Sequence, residues 1–510
     1  MMKKYLNKIM GISLASLMVL GTTGCGTSNT TEANTSVKNT TTNNTTINTT
    51  PNSTDNTSEK TLTEGEKLAQ QYTGFIETPM DLGGRTIHIV GSISSFQLAN
   101  DSNGNPSREA TSNEVLYIVD AMEQIEKDYN CKFTYEKISG SELVEQCLAL
   151  KAAGDTIGDI LEFGVSGTYP DKLYANNICM DLNDKSIKDI IKFYDNPWHL
   201  SSGFGRMFGN QYGVHFKLYN SSAVLRSVIV FNKNLAAKYD VGNLYDMVRN
   251  KTWTFKKFQE ICASIASQAN GELYPFIYHQ EGLTVPMFVA ANGGSFSEST
   301  ATGYKFTALQ DNTLEAMNYL VDLAKSGYIH PGSEDKKNAE LTYSKEEAVF
   351  FAGGYSIIKK FKNGTYDTNS EFGLLPAPLG PNGKEYGTIS YTEDMYHIVN
   401  GIEKPEEVAA VLVAIANRTS KNTDLILEQE LMSTLFDEDS GEMLELMYNN
   451  SQCDYSRVFS EARKILPPAI RSTLKQSGTT EFTFEKTPKE AMEEIEASIQ
   501  SVYDNVTLLQ

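Results

Sequence analysis

The chain has 510 residues, 40% of them hydrophobic and 21% charged, with a formal net charge of −20 at pH 7. That length calls for two domains or more, and the composition is that of an ordinary globular protein. The acidity argues against nucleic acid, whose phosphates would repel it, and against electrostatic adhesion to anionic lipid.

The N-terminal segment is a targeting signal, not part of the fold. Lys3, Lys4 and Lys8 form a positive region, and Ile9 to Leu20 is an apolar run too short to span a membrane comfortably. Gly21-Thr22-Thr23-Gly24-Cys25 follows, and small residues before a cysteine resemble a bacterial lipoprotein signal. That resemblance implies that Cys25 becomes a lipidated N-terminus; ordinary secretory cleavage is the alternative, and either route exports the protein. Residues 26 to about 60 are almost all Thr, Asn and Ser. They cannot bury enough apolar surface to fold and are expected to form a flexible tether.

The folded part is expected from about Leu82. Arg85 to Val90 alternates as a strand and ends in Gly91-Ser92. Thr111-Ser112-Asn113-Glu114 offers a capping box, and Val115, Ile118, Val119, Met122, Ile125 and Tyr129 share one face of the helix behind it. Lys132 to Tyr135 predicts a strand, Ser141 to Ala153 a helix stopped at Gly154, and Ile157 to Phe163 a strand. This β-α-β-α-β order predicts a mainly parallel sheet flanked by helices. Ligands of such sheets sit beyond the carboxyl ends of the strands, so the loops opening at Ser92 and Gly164 are the places to look.

Tyr194 to Tyr219 is polar and aromatic. Val228 to Lys233 is a β-branched run ending in Asn-Lys. Thr254 is placed to cap a helix with Phe255, Phe258, Ile261, Cys262 and Ile265 on one face. Leu283 to Ala291 is apolar and runs into Asn292-Gly293-Gly294-Ser295-Phe296. A helix is predicted at about 311–326, a strand at Phe372 to Leu379, and helices from Pro405 and from the capping box Thr487-Pro488-Lys489-Glu490.

Catalytic signatures are missing from the sequence. It has no GxSxG, no Walker A, no GxGxxG after a strand and no HExxH. Cys131, Cys147, Cys179, Cys262 and Cys453 are odd in number and lack CxxC spacing, which fits neither a disulfide framework nor zinc. No cofactor or metal is expected. Glu346-Glu347 and Glu393-Asp394 are adjacent carboxylates, each more simply a solvated face or turn. What remains is aromatic residues on loops, whose rings can stack on sugars while nearby carboxylates and amides bond hydroxyls. Each aromatic can equally be core. Ser166, Tyr169 and Tyr355, which follows two glycines, are the better candidates.

Several segments together resemble the extracellular solute-binding proteins of ABC importers, in the large carbohydrate-binding family of the maltose-binding type. They are Phe231-Asn232-Lys233-Asn234-Leu235, Lys251-Thr252-Trp253-Thr254 with Phe258, and Ala290-Ala291-Asn292-Gly293-Gly294. Leu320-Val321-Asp322-Leu323 with Gly327-Tyr328, Ala352-Gly353-Gly354-Tyr355, and Leu375-Pro376-Ala377-Pro378 with Gly380-Pro381-Asn382-Gly383 complete the set. The similarity covers about residues 83 to 505.

The resemblance implies an α/β fold of two lobes, of the periplasmic-binding-protein kind (class II), with three hinge crossings. Residues 1–24 would be the signal and 25–80 the tether. Lobe 1 would be 81–224 and 392–437, and lobe 2 would be 225–391 and 438–510. It implies a small-molecule ligand, a mono- or oligosaccharide, captured between the lobes and delivered to ABC permease subunits by a lipid-anchored monomer at the extracellular face of the cell membrane. No chemistry on the ligand is implied. The expected ligand contacts are Ser94, Ser166, Tyr169, Tyr219, Glu281, Leu283, Phe296, Tyr355 and Glu393. A secreted carbohydrate-active enzyme or a surface adhesin is the alternative.

Overall fold

The computed structural model describes residues 80–91, 98–100, 106–108, 113–164, 170–192, 205–214, 227–279, 281–300, 303–331, 336–366, 368, 370–390, 394–420, 435, 437–453, 456, 458–477 and 481–507. Cys25 and the tether lie outside them.

The chain opens with β1 (Arg85–Gly91), α1 (Asn113–Asp128), β2 (Cys131–Lys137), α2 (Gly140–Ala153), β3 (Ile160–Gly164), α3 (Pro170–Ala175) and β4 (Gly213–Val214). It continues with β5 (Val228–Asn232), α4 (Lys233–Lys238), α5 (Phe255–Ala269), β6 (Tyr274–Tyr278) and α6 (Glu281–Ala291). Next come α7 (Asp311–Lys325), β7 (Ala348–Gly353), β8 (Phe372–Leu375), β9 (Asp394–Ile398) and α8 (Pro405–Ser420). Three helices end it: α9 (Glu438–Asn449), α10 (Ala462–Thr473) and α11 (Pro488–Thr507).

Two main sheets result. The first has five strands in the order β2-β1-β3-β9-β4, and the second has four in the order β6-β7-β5-β8. In the first, β1 runs parallel to β2 and to β3, as the β-α-β-α-β order predicts. The late strand β9 joins antiparallel to both β3 and β4. In the second sheet β6 and β7 are parallel, while β5 lies antiparallel between β7 and β8. Each sheet thus contains one strand inserted by a chain arriving from the other. The chain changes sheet between β4 and β5 and between β8 and β9, and α9, after α8, again packs on the second sheet.

Helices cover the sheet faces. Val408 to Ala416 of α8 is buried on every side, which suits a helix apolar all round. It lies between α1 and the β9 face of the first sheet. In the second sheet α9 packs on β8, although it follows the last crossing. Local chemistry accounts for the element ends. Gly154 closes α2 in the left-handed conformation. Thr254 caps α5 by accepting the Lys257 amide at 3.2 Å. Thr487 and Glu490 form the reciprocal capping box of α11. The strand expected to reach Leu379 stops at Leu375, because Pro376 has no N–H to extend the ladder.

The conspicuous motifs of the second lobe turn out to hold it together. The Asn232 side chain caps α4 through the Leu235 amide at 3.0 Å. Lys233 pairs with Asp437, which caps α9 and thereby fixes the helix after the last crossing. Trp253 is fully buried, and its indole N–H donates to the Pro376 carbonyl at 3.0 Å. Asn292 donates to the Asn312 carbonyl and to Glu315, and accepts the Asn382 amide at 2.9 Å. A side chain at Gly380 would run into Asn292, so the two glycine-rich segments need each other.

Candidate ligand-binding site

The carboxyl ends of the first sheet carry buried polar groups. Glu162, on the central strand β3, is fully buried. The Tyr135 hydroxyl donates to its Oε2 at 2.9 Å, and the Tyr396 hydroxyl to its Oε1 at 3.1 Å. A Cβ at Gly91, the last residue of β1, would lie 2.6 Å from both the carboxylate and the Tyr135 hydroxyl. Only glycine lets β1 end beside this cluster.

The opposite face of the same strands holds a second group. His397, fully buried on β9, stacks on Phe163 with ring centroids 3.8 Å apart and planes 2° from parallel. Its Nδ1 faces the Leu161 carbonyl at 3.3 Å. A carbonyl only accepts, so Nδ1 carries the proton and Nε2 accepts from the Tyr174 hydroxyl at 2.7 Å. Tyr174 in turn stacks on Tyr212, centroids 4.4 Å apart, and burial holds its phenol protonated by raising its pKa well above the usual 10.0.

Asp171, in the first turn of α3, is 2% exposed. Its Oδ2 accepts the Ser460 amide at 3.1 Å and the Ser460 hydroxyl at 3.0 Å. Burial raises its carboxyl pKa, and the Ser460 amide offsets part of that rise. Among the described residues no group of three or more His, Cys, Asp or Glu side chains could hold a metal ion.

The second lobe meets the crossings through hydroxyls. Ser227, just before β5, donates to the Leu283 carbonyl at 3.1 Å, and Thr388 donates to the Ser227 carbonyl at 2.6 Å. The amino-terminal turn of α6 is therefore tied to the chain on both sides of the second sheet.

Of the expected contacts, Ser94, Ser166, Tyr169, Tyr219 and Glu393 lie outside the described residues. Glu281 is the first residue of α6, and its side chain is also outside them. The structure buries the side chains of the other three. Leu283 is 7% exposed, Phe296 2% and Tyr355 0%. The Phe296 ring belongs to the main core, while Tyr355 packs in a cluster with Ile277, Tyr343 and Phe351. Tyr355 follows the turn at Gly354 from β7 into a helix, Ser356–Lys362, and its burial depends on that cluster.

Sequence reading passed over Glu162, His397 and Asp171. A signal existed for the first: Ile160-Leu161-Glu162-Phe163-Gly164 puts one carboxylate in a strand otherwise apolar on both faces. A charge there needs a specific environment.

The profile of bacterial extracellular solute-binding proteins matches residues 110–419, well over half of the chain. The chain belongs to this family. No curated protein sequence matches it. Solved structures of similar fold include maltose-bound MalE3 of T. maritima, at 16% identity and TM-score 0.51, covering 82% of this chain and 100% of that one. The ABC substrate-binding protein Lmo0181 of Listeria monocytogenes, in complex with cycloalternan, matches at 16% identity and TM-score 0.52, over 82% and 98%. The cyclic α-maltosyl-1,6-maltose binding protein of Arthrobacter globiformis matches at 14% identity and TM-score 0.55, over 82% and 99%. The fold of this solute-binding protein is thus the two-lobe α/β fold of the periplasmic binding proteins.

Proposed function

We infer that this solute-binding protein is a lipid-anchored receptor that captures a carbohydrate between its lobes and delivers it unchanged to an ABC permease. The observation that carries the reading is the family match across both sheets, together with the carbohydrates named for similar folds: maltose, cycloalternan and a cyclic maltosyl-maltose. An α-linked gluco-oligosaccharide is the first ligand class to try. Cys25 would carry the lipid, and residues 25–80 would let the body reach its permease.

The loops after β1 and β3, with Ser94, Ser166 and Tyr169, would face the ligand from lobe 1. Tyr219 and Glu393, beside the crossings, and Glu281, opening α6, would complete the contacts. Leu283, Phe296 and Tyr355 would shape the opposite wall from beneath, as core, rather than touch the sugar.

A thermal-shift screen of the exported protein against mono- and oligosaccharides tests this. A ligand at 100 times its Kd stabilises by about 2.7 kcal/mol, a shift readily seen. The expected result is a rise with an α-glucan oligosaccharide that is recovered chemically unchanged. No rise with any sugar, together with a rise for a peptide or polyamine, would overturn the carbohydrate assignment and leave the fold untouched. Recovery of a cleaved sugar would overturn the receptor reading instead. For the anchor, Cys25→Ala is expected to release the protein into the medium; retention at the membrane would argue against lipidation.

A further inference from the structure

The two lobes touch through side chains. Phe208 sits at the tip of a short hairpin in the first lobe, Arg206–Met207 paired with Asn210–Gln211. Its amide donates to the Tyr304 hydroxyl at 3.2 Å, and the two rings meet edge to face with centroids 6.1 Å apart. Tyr304 belongs to a second-lobe hairpin and packs on Phe459 and Tyr503. One residue beyond Phe459, Ser460 gives both its amide and its hydroxyl to Asp171 of the first lobe. Helix α3, which carries Asp171, also packs on α11, which carries Tyr503. These contacts make one continuous seam, and the main apolar cluster runs through it from Tyr174 to Phe459.

We propose that this seam is a clasp, Phe208–Tyr304 with Asp171–Ser460, that holds the lobes together and sets how readily they part. Its terms oppose one another. Contact of the half-buried Phe208 ring with Tyr304 favours closure. The φ of +55° at Phe208 belongs to the two-residue turn of its own hairpin and does not depend on whether the lobes meet. One feature resists closure: Asp171 is 2% exposed, and the Ser460 amide and hydroxyl and the Lys172 amide offset only part of the cost of burying its carboxylate. A clasp so balanced is easily biased. Because a binding-competent state of small population lowers apparent affinity in proportion, the clasp also tunes the affinity for whatever solute enters.

The two amides that cross the seam, Phe208 and Ser460, make hydrogen exchange the natural test. It needs only the ligand-free full chain, so its outcome is independent of the ligand's identity. Both amides are expected to be protected in the wild type. Phe208→Gly removes the ring and tolerates the positive φ, while both lobe cores stay intact; it is expected to strip protection from the distant Ser460 amide. Peptides from β1 and β7 keep theirs, which shows that the fold survives. Asp171→Asn removes the charge but keeps an acceptor for Ser460, and is expected to raise protection at Phe208. Unprotected Phe208 and Ser460 amides in the wild type would overturn the proposal. So would Ser460 exchange unchanged by Phe208→Gly. Faster exchange at Phe208 in Asp171→Asn would overturn the opposing role assigned to that carboxylate.

Discussion

The two lobes use buried polar groups for different ends. In the second lobe the conspicuous polar residues serve architecture, although the buried Asn232 side-chain nitrogen makes no hydrogen bond among the described residues. Asn232 caps a helix, Asn292 stitches two glycine-rich segments, and Lys233 grips the cap of α9. In the first lobe the polar groups gather at the carboxyl ends of the strands. Glu162 sits between two phenols, and His397 is clamped by Phe163 and Tyr174. The difference teaches that motif density is a poor guide to the site. The segments that resemble the family lie in the second lobe, where they end a strand and start helices. The first lobe buries a carboxylate and an imidazole on opposite faces of its sheet, opposite Tyr396 and Leu161 in the β3–β9 pair.

The comparison breaks most visibly at Trp253. If its role is packing, Trp253→Ala costs about 3–5 kcal/mol, the range for emptying a large buried aromatic site. Urea denaturation measures this. A small loss of stability with a large loss of ligand response would move Trp253 into the binding site and undo the contrast.

Glu162→Leu probes the other side. Leucine fills a similar volume but leaves the Tyr135 and Tyr396 hydroxyls without their acceptor, at about 1–3 kcal/mol for such groups when buried. The same denaturation series reads it. A neutral or stabilising result would show that the cluster is held for a reason other than stability, and would strengthen its candidacy as a support for the ligand loops.

Much of this was legible beforehand, and what was missed has a physical cause. The strand β5, the Thr254 cap and the amphipathic α5 follow from β-branching, side-chain capping and a 3.6-residue period, all local properties. Burial of Tyr355 was not legible. Two glycines before an aromatic signal a turn, but they do not say on which side of the turn the ring falls. That depends on Tyr343 and Phe351, the latter on the same strand and the former five residues before it. Asp171 was invisible for a similar reason: its partner Ser460 lies 289 positions away, and no local pattern links them.

Asp171 gives a pH-dependent sharpening. Its carboxyl pKa is raised in the folded protein above the ordinary 3.8, chiefly by desolvation. The folded state therefore binds this proton more tightly than the unfolded chain. The buried charge costs stability at neutral pH, and the cost is relieved as pH falls through the raised pKa toward 3.8. Asp171→Asn carries no charge at either pH. It is expected to melt higher than wild type at pH 7, with the gap narrowing in acid. A gap that is constant with pH would mean that Asp171 is not titrating in the folded state.

A smaller effect is expected where the second lobe uses a single cap. Thr254→Ala removes the acceptor for the Lys257 amide and should cost about 1 kcal/mol. Thr254→Ser keeps the hydroxyl and should restore most of it. Failure of serine to rescue would assign the loss to the methyl group's packing rather than to the cap.

The smallest effect should come from the most heavily paired charge. Arg249 contacts Asp246, Asp439 and Glu442, which ties Leu244–Arg249 to α9. All four side chains are a third or more exposed. Water and salt screen such pairs, and each contributes at most about 1 kcal/mol. Lys233 and Asp437, gripping the same helix, are less exposed, at 24% and 21%. Arg249→Ala should therefore lower the melting temperature slightly at low salt and not at all near 1 M, where the Debye length shrinks to about 3 Å. A large, salt-independent drop would mean that α9 is held by its surface charges, and the second lobe's reliance on buried polar locks would fall with it.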